Sequence, residues 1–302
     1  MGLGDGLIAL VLSNNLRLNG AQVTTFHPSL QGLQAWFPHL PIQPFPYEQD
    51  LDKALADFDQ FFLIYEKTSW MQAVLSYCQN RFPEKTTVLN PIATMKRDYP
   101  YWETGKFQGN WTFVDNLVQF CRDSLSLKNT TRDNGIHPPS DVVLRRFPKR
   151  VIIHPTSSRP GKNWPEAKFV ALSKKLQAQG WEPVFALTKD ERATWDIKQV
   201  EAPQIHSLTE LTTLVAESGA MIGNDSGIGH LASCLGLPTL TICRNSMVAK
   251  FWRPAWAQGV VVSPYLWIPN VKGLRLRDQH WKRWITTRRV LNQFVQLSQL
   301  QN

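Results

Sequence analysis

Three short stretches combine residue types that can hold an anion and move a proton. In Ile222-Gly223-Asn224-Asp225-Ser226-Gly227-Ile228-Gly229-His230 an apolar run stops at Asp225 and Ser226, either of which can cap a helix opened by Gly227. A helix starting there turns free backbone N–H groups and the positive end of its dipole toward the preceding loop, which suits a pyrophosphate. His230 follows Ser226 by four residues and so lies one turn further along the same face. Taken alone, these residues also read as a cap and a core histidine.

The second stretch, His154-Pro155-Thr156-Ser157-Ser158-Arg159-Pro160-Gly161-Lys162-Asn163-Trp164-Pro165, gathers hydroxyls, a turn glycine and a lysine just before a helix start. These are suitable partners for phosphate oxygens, and they equally describe a solvated loop with a cap. The third is Met1-Gly2-Leu3-Gly4-Asp5-Gly6, which runs straight into a helix and places a carboxylate where backbone can approach a ligand closely. Its G-x-G-x-G spacing is not the dinucleotide fingerprint, and Asp5 by itself would also pass as a helix cap.

Short β-type runs alternating with longer helical ones must position these stretches, a pattern of α/β architecture. The spacing predicts helices at Leu7–Leu18, Leu51–Phe58, Met71–Tyr77 and Phe113–Leu127, and strands at Gln22–Phe26, Phe61–Tyr65 and Thr86–Leu89. Pro91–Gly109 is aromatic and irregular, and the polar run Lys128–Ser140 reads as a linker. A second series follows, with strands at Arg150–His154, Glu182–Leu187, near Ile205, Ala220–Gly223 and Pro238–Cys243. Its helices are expected at Glu166–Gln179, Asp190–Val200, Leu208–Ser218 and Gly227–Leu235, and a long terminal helix at Gln279–Leu300. Ligands of such folds bind beyond the carboxyl ends of the strands, where two of the three stretches fall.

Composition narrows the class. The 302 residues are 43% hydrophobic and 19% charged, without low-complexity runs, which excludes a disordered or fibrous chain. The early apolar run Leu7–Leu12 is far short of the roughly 20 residues that span a bilayer and has no basic stretch before it, so a cytoplasmic protein is expected. Cys78, Cys121, Cys234 and Cys243 are scattered, which predicts reduced thiols and no metal site. The net charge is +9. After residue 270, Lys272, Arg275, Arg277, Lys282, Arg283, Arg288 and Arg289 face a single acid, Asp278, so six of those nine charges lie at the C-terminal end. That tail attracts something anionic or is a solvated helix face. No nucleic-acid-binding signature accompanies it, and no nucleic-acid partner is expected.

Together and in this order, the segments resemble the lipopolysaccharide heptosyltransferases, glycosyltransferase family 9. Asp225, Ser226, Gly227, His230, Ala232, Gly236 and Pro238 fit that family's D-[ST]-G-x-x-H-x-A-x-x-x-G-x-P pattern. Lys162, Trp164 and Pro165 fit its K-x-W-P segment, and Gly4 and Asp5 its N-terminal G-D motif. The resemblance implies two facing Rossmann-like domains, the GT-B fold: an acceptor domain at 1–147, a nucleotide-sugar domain at 148–278, and a basic helix at 279–302 packing back on the acceptor domain. It also implies inverting, metal-independent transfer of a heptose from ADP-heptose, with no cofactor, to a sugar hydroxyl of the lipopolysaccharide inner core. Asp5 would be the general base, and Ser157, Ser158 and Lys162 would hold the pyrophosphate. Ser226, Gly227 and His230 would bind from the other side, with Asp225 anchoring the turn and Glu191 meeting the ribose. Lys282, Arg283, Arg288 and Arg289 would face an anionic glycolipid acceptor or the inner face of the cytoplasmic membrane. Transfer to protein Ser or Thr and a catalytically silent nucleotide-sugar module are the alternatives.

Two departures bear on this. The family carries an apolar strand before the G-D motif, whereas here only Met1 precedes Gly2. The expectation is therefore an acceptor domain lacking its first strand, a start upstream of Met1, and a turn with nothing to anchor it. After Cys243 the chain reads Arg244-Asn245-Ser246-Met247 and then Phe251-Trp252-Arg253-Pro254, which is expected to reshape the donor-sugar pocket. Trp102, Trp111, Trp252 and Trp256 could stack on sugars or pack in the core.

Overall fold

A computed structural model describes residues 2–90, 107–157, 159–195, 199–272 and 274–300. The N-terminal unit contains α1 (Leu3–Leu18), β1 (Thr25–Phe26), β2 (Ile42–Gln43), α2 (Leu51–Leu55), β3 (Phe61–Ile64), α3 (Ser69–Arg81), β4 (Thr86–Leu89) and α4 (Phe113–Gln119). The C-terminal unit runs β5 (Phe147–His154), α5 (Glu166–Gln177), β6 (Glu182–Phe185), α6 (Lys189–Thr194), α7 (Leu208–Ala216), β7 (Ser218–Asn224), α8 (Gly227–Cys234), β8 (Thr239–Ile242), α9 (Ser246–Trp252) and β9 (Gly259–Val262). Three helices close it: α10 (Leu276–Gln279), α11 (Trp281–Trp284) and α12 (Thr287–Gln299).

β5 to β9 form one parallel sheet in the order β6-β5-β7-β8-β9. Its central strand β7 is buried along its whole length, as a strand covered on both faces must be. In the N-terminal unit the strands form two separate parallel pairs, β1-β2 and β3-β4. Among the described residues no strand precedes α1.

The turn Gly2–Gly6 is nevertheless anchored, contrary to expectation, because α1 is a buried helix. Leu7 and Leu10 join the apolar cluster of Ile228, Leu231 and Leu235 beneath α8. Ile8, Val11 and Leu12 join Phe113, Leu117 and Phe251 on another side. A helix apolar on several faces is stable only when enclosed in this way. Its polar positions are tied as well: the Asn15 side chain donates to Thr131 O (2.8 Å) and accepts from Thr131 N–H (2.7 Å), while Asn14 Nδ2 donates to Asp133 O (3.0 Å). The expected linker is thus laced to α1 through asparagine side chains.

Several elements differ from their expected form. β2 and β9 emerge in addition, and the segment near Ile205 lies outside the sheet. The helix expected at Asp190–Val200 ends at Thr194. The terminal helix is broken into α10, α11 and α12, and it packs on the C-terminal unit, not back on the N-terminal one. Val290, Phe294 and Leu297 belong to the same cluster as Val151, Phe169 and Leu172. The α11–α12 junction is pinned by Trp164 Nε1 donating to Ile285 O (3.1 Å) and by Lys168 Nζ donating to the carbonyls of Lys282 (2.5 Å) and Ile285 (2.8 Å). Apolar burial set this placement, since α12's one apolar stripe has a matching face on α5 and β9. All four cysteines are free thiols, three of them buried. No helix among the described residues is long and apolar enough to cross a membrane.

The α1–α8 crossing relies on glycine. A Cβ added at Gly227 would lie 2.9 Å from both Gly4 N and Leu3 Cβ. Gly227→Ala must push the helices apart, at about 1–3 kcal/mol for overpacking. The melting temperature should fall by several degrees, and an unchanged melting curve would show that this crossing yields freely.

Candidate active site

The parallel sheet aligns the carboxyl ends of β5, β7 and β8 on one rim, and α1 abuts that rim from the N-terminal unit. Asn224, the last residue of β7, clamps the post-β5 loop at both ends. Its Oδ1 accepts from Trp164 N–H (3.0 Å) and its Nδ2 donates to Pro155 O. The loop between carries Ser157, whose hydroxyl donates to Asn163 Oδ1 (2.7 Å), and a short 3-10 turn at Pro160–Lys162. Lys162 is half-exposed and pairs with Asp225 across the rim at 3.6 Å. Ser158 lies outside the described residues.

Ser226 takes the N-cap backbone conformation of α8, yet its side chain caps nothing. Its Oγ and the Nδ1 of His230 are buried without a hydrogen-bond partner. Buried polar atoms left unpaired cost about 1–3 kcal/mol each, so a ligand that satisfies them is favoured. Gly227, Ser226, His230, Asp225 and Lys162 are therefore brought together as expected, around the positive end of α8. Burial lowers the His230 pKa, with Asp225 and Asp5 opposing the shift. The buried imidazole is therefore neutral near pH 7.

Asp5 stands in the first turn of α1, one residue beyond the point where Gly4 meets the His230 ring, whose Cδ2 would be 2.8 Å from a Cβ at Gly4. Asp5 Oδ2 accepts from Gly2 N–H (2.9 Å), so the carboxylate also caps its own helix. A second buried histidine, which the sequence reading did not single out, shares its field. His27 follows β1 and packs on Gly6, where a Cβ would be 2.7 Å from the ring. Ser29 N–H donates to His27 Nδ1 (3.1 Å), which leaves the ring proton on Nε2, and Nε2 is buried without a partner. Burial lowers the His27 pKa to about 4, joined by the amino-terminal charge and opposed by Asp5. The one signal available in sequence was a histidine directly after a strand.

Glu191 lies beside the donor rim but is engaged within the protein. It accepts from Thr188 N–H (2.7 Å), closing a capping box on α6, and from the Thr156 hydroxyl. Thr156 Oγ1 in turn stands 3.3 Å from His154 Nε2, while His154 Nδ1 donates to Ala186 O (2.8 Å). Burial works to raise the Glu191 pKa, but the bonds from Thr156 and Thr188 bring it below its ordinary value. Trp252 packs edge-on against Phe113, with centroids 5.1 Å apart. Trp256 sits edge-on to His230 and donates to Arg132 O (2.6 Å). Trp111 is exposed, and Trp102 lies outside the described residues. Of the four C-terminal cations, Arg283 and Arg288 are exposed, Lys282 is half-buried, and the Arg289 guanidinium is stacked 3.9 Å from the centre of the Tyr265 ring.

The sequence profile of glycosyltransferase family 9 (heptosyltransferase) matches residues 124–273. The match spans 150 of the 302 residues, and the family is the one that the chain's motifs resemble. It is 27% identical over 139 residues to lipopolysaccharide heptosyltransferase 3 of Escherichia coli, covering 43% of this chain and 39% of that protein. The curated relatives it matches are spanned over 24% to 39% of their length. Solved structures agree over the whole length. The family 9 glycosyl transferase from Veillonella parvula DSM 2008 superposes with a TM-score of 0.69 at 15% identity, covering 100% of this chain and 95% of that one. E. coli heptosyltransferase WaaC with ADP gives 0.61 at 14% identity, covering 99% and 97%. The fold is thus the expected pair of Rossmann-like units.

The depressed histidines predict the acid limb of stability. A histidine with an ordinary pKa near 6.5 when unfolded and about 4 when folded binds more protons unfolded throughout that window. His27 thus costs no stability above about pH 6.5, and stability falls as pH drops toward 4, by up to about 1.4 kcal/mol per pH unit. Urea midpoints at pH 7 and pH 5 should differ more in the parent than in His27→Gln. Equal differences would place His27 in contact with solvent.

Proposed function

We propose that this chain is an inverting, metal-independent glycosyltransferase that moves a heptose from ADP-heptose to a sugar hydroxyl of the lipopolysaccharide inner core. One observation carries the reading. The unpartnered Ser226 Oγ and His230 Nδ1 lie at the opening of α8, opposite Lys162, and the crossing of α1 on α8 holds Asp5 beside them. A diphosphate there would meet the amides at the start of α8, the Ser226 hydroxyl and the Lys162 ammonium.

The reaction follows from those positions. Asp5 accepts the proton of the acceptor hydroxyl as that oxygen forms a bond to the anomeric carbon. On the opposite face the bond from that carbon to the diphosphate oxygen breaks, and its electron pair leaves with ADP. Lys162 and the α8 dipole offset the charge that grows on the leaving group, so their contribution is greatest in the transition state. A single displacement inverts the anomeric centre. The exposed cations Arg283 and Arg288 favour an anionic acceptor, a glycolipid at the inner face of the cytoplasmic membrane. The bond from Gly2 N–H to Asp5 supports a second reading, a silent nucleotide-sugar module in which Asp5 only caps α1.

Asp5→Asn separates the two. Turnover with ADP-heptose and a core oligosaccharide acceptor, followed by mass spectrometry, should fall about 10²- to 10⁴-fold, with ADP affinity nearly unchanged. Parent-like turnover would remove Asp5 from the chemistry, and no turnover by the parent would select the silent module. Lys162→Ala and His230→Ala should each weaken ADP binding in calorimetry. Unchanged affinity in both would move the donor site elsewhere.

A further inference from the structure

One surface feature is left unused by this chemistry. The segment after β9 exposes a run of large apolar side chains, with Leu266 70%, Trp267 76% and Val271 63% accessible, and Leu274 and Tyr265 about half so. The segment is braced. Val271 and Leu274 exchange backbone hydrogen bonds (3.2 and 2.9 Å), and Arg277 Nη1 donates to Leu266 O (3.0 Å). Tyr265 and Trp267 stack at 5.9 Å and 18°, the Arg289 guanidinium stacks on Tyr265, and Ile268 is buried as an anchor. The apolar groups are therefore held outward by a fixed backbone.

We propose that residues 265–272 together with Leu274 form a docking tip that inserts Leu266, Trp267, Val271 and Leu274 into the headgroup region of an anionic lipid bilayer. Charge complementarity identifies the partner. Lys272 within the tip and Arg275 next to it are exposed, Arg277 and Arg289 contact it, and Asp278 is the one acid after residue 270. A second copy of the chain would bring the same positive charge against itself, and a purely electrostatic partner has no use for exposed Leu, Val and Trp. An anionic bilayer takes both: apolar side chains and an indole settle at the interface, while lysine and arginine reach the headgroups.

Position links the tip to the site. β9 runs parallel to β8, so the segment leaves the sheet on the same rim that carries the loops after β5, β7 and β8. Docking therefore turns the mouth of the site toward the lipid surface. The inference extends the reading of a membrane-borne acceptor, but its test does not use turnover.

The full chain is sedimented with vesicles of phosphatidylethanolamine and phosphatidylglycerol, or of phosphatidylcholine alone, with melting temperature and ADP affinity measured on the same samples. The parent should bind the anionic vesicles, less so as salt rises. Leu266→Ser/Trp267→Ser should bind at least about tenfold more weakly with melting temperature and ADP affinity unchanged, since both residues are exposed. Lys272→Gln/Arg275→Gln should weaken binding and flatten its salt dependence. Brominated lipids should quench the parent's fluorescence more than that of Trp267→Phe. Failure of the parent to bind, or equal binding by the double serine variant, overturns the proposal. So does a dimer in sedimentation velocity that the serine pair abolishes, which would assign the tip to a second copy. Loss of ADP binding in the parent would instead count against the donor site and leave the tip standing.

Discussion

The rest of the site depends on the contact between two glycines, Gly4 on α1 and Gly227 at the start of α8. With no Cβ on either side, the two backbones approach until a Cβ at Gly4 would be only 3.3 Å from the Gly227 Cα. That approach lays the His230 ring on α1 and puts Asp5 beside the opening of α8. The candidate base is therefore carried on a rigid helix. Leu7 and Leu10 bind α1 to one core and Ile8, Val11 and Leu12 to another, so displacing Asp5 would disturb both. Catalytic groups on elements supported this way hold their geometry better than groups on loops.

The donor rim shows a complementary arrangement, fixed backbone around unfulfilled side chains. Asn224 bonds both ends of the post-β5 loop, and Glu191 is held by α6 and Thr156. Within this frame Ser226 and His230 keep buried polar atoms without partners, and across α1 so does His27. His230 and His27 both feel the Asp5 carboxylate, and unpaired atoms so close together are a poor solution for stability alone. On the proposed function they are binding capacity that the fold maintains at its own cost.

The C-terminal segment shows how apolar contacts decide where charge ends up. Val290, Phe294 and Leu297 commit α12 to α5 and β9, and Trp164 and Lys168 pin the turn before it. Arg283 and Arg288 remain outside, exposed to solvent. Arg289 is the exception: its guanidinium braces Tyr265 instead of facing solvent.

Much of this was legible in the residues. Alternating apolar periods define two α/β series, and Asp225-Ser226-Gly227 with His230 marks a loop that opens a helix, because a strand end, a cap and a helix start are local features written in adjacent residues. The same holds for Lys162-Asn163-Trp164-Pro165 and for the G-D turn. Sequence alone thereby determined the fold class and which residues would gather at the rim after β5 and β7. Tertiary structure decided the rest. That Gly4 faces Gly227, that His27 lies beside Asp5, and that Trp252 packs on Phe113 are contacts between segments far apart in the chain, without local periodicity to announce them. The terminal helix could be read as basic and amphipathic, but not assigned to a face, since an apolar stripe does not name the surface that will cover it. β9 and the tip behind it escaped for a related reason: a four-residue apolar strand is recognisable only once its neighbour β8 supplies the backbone partners that make it a strand.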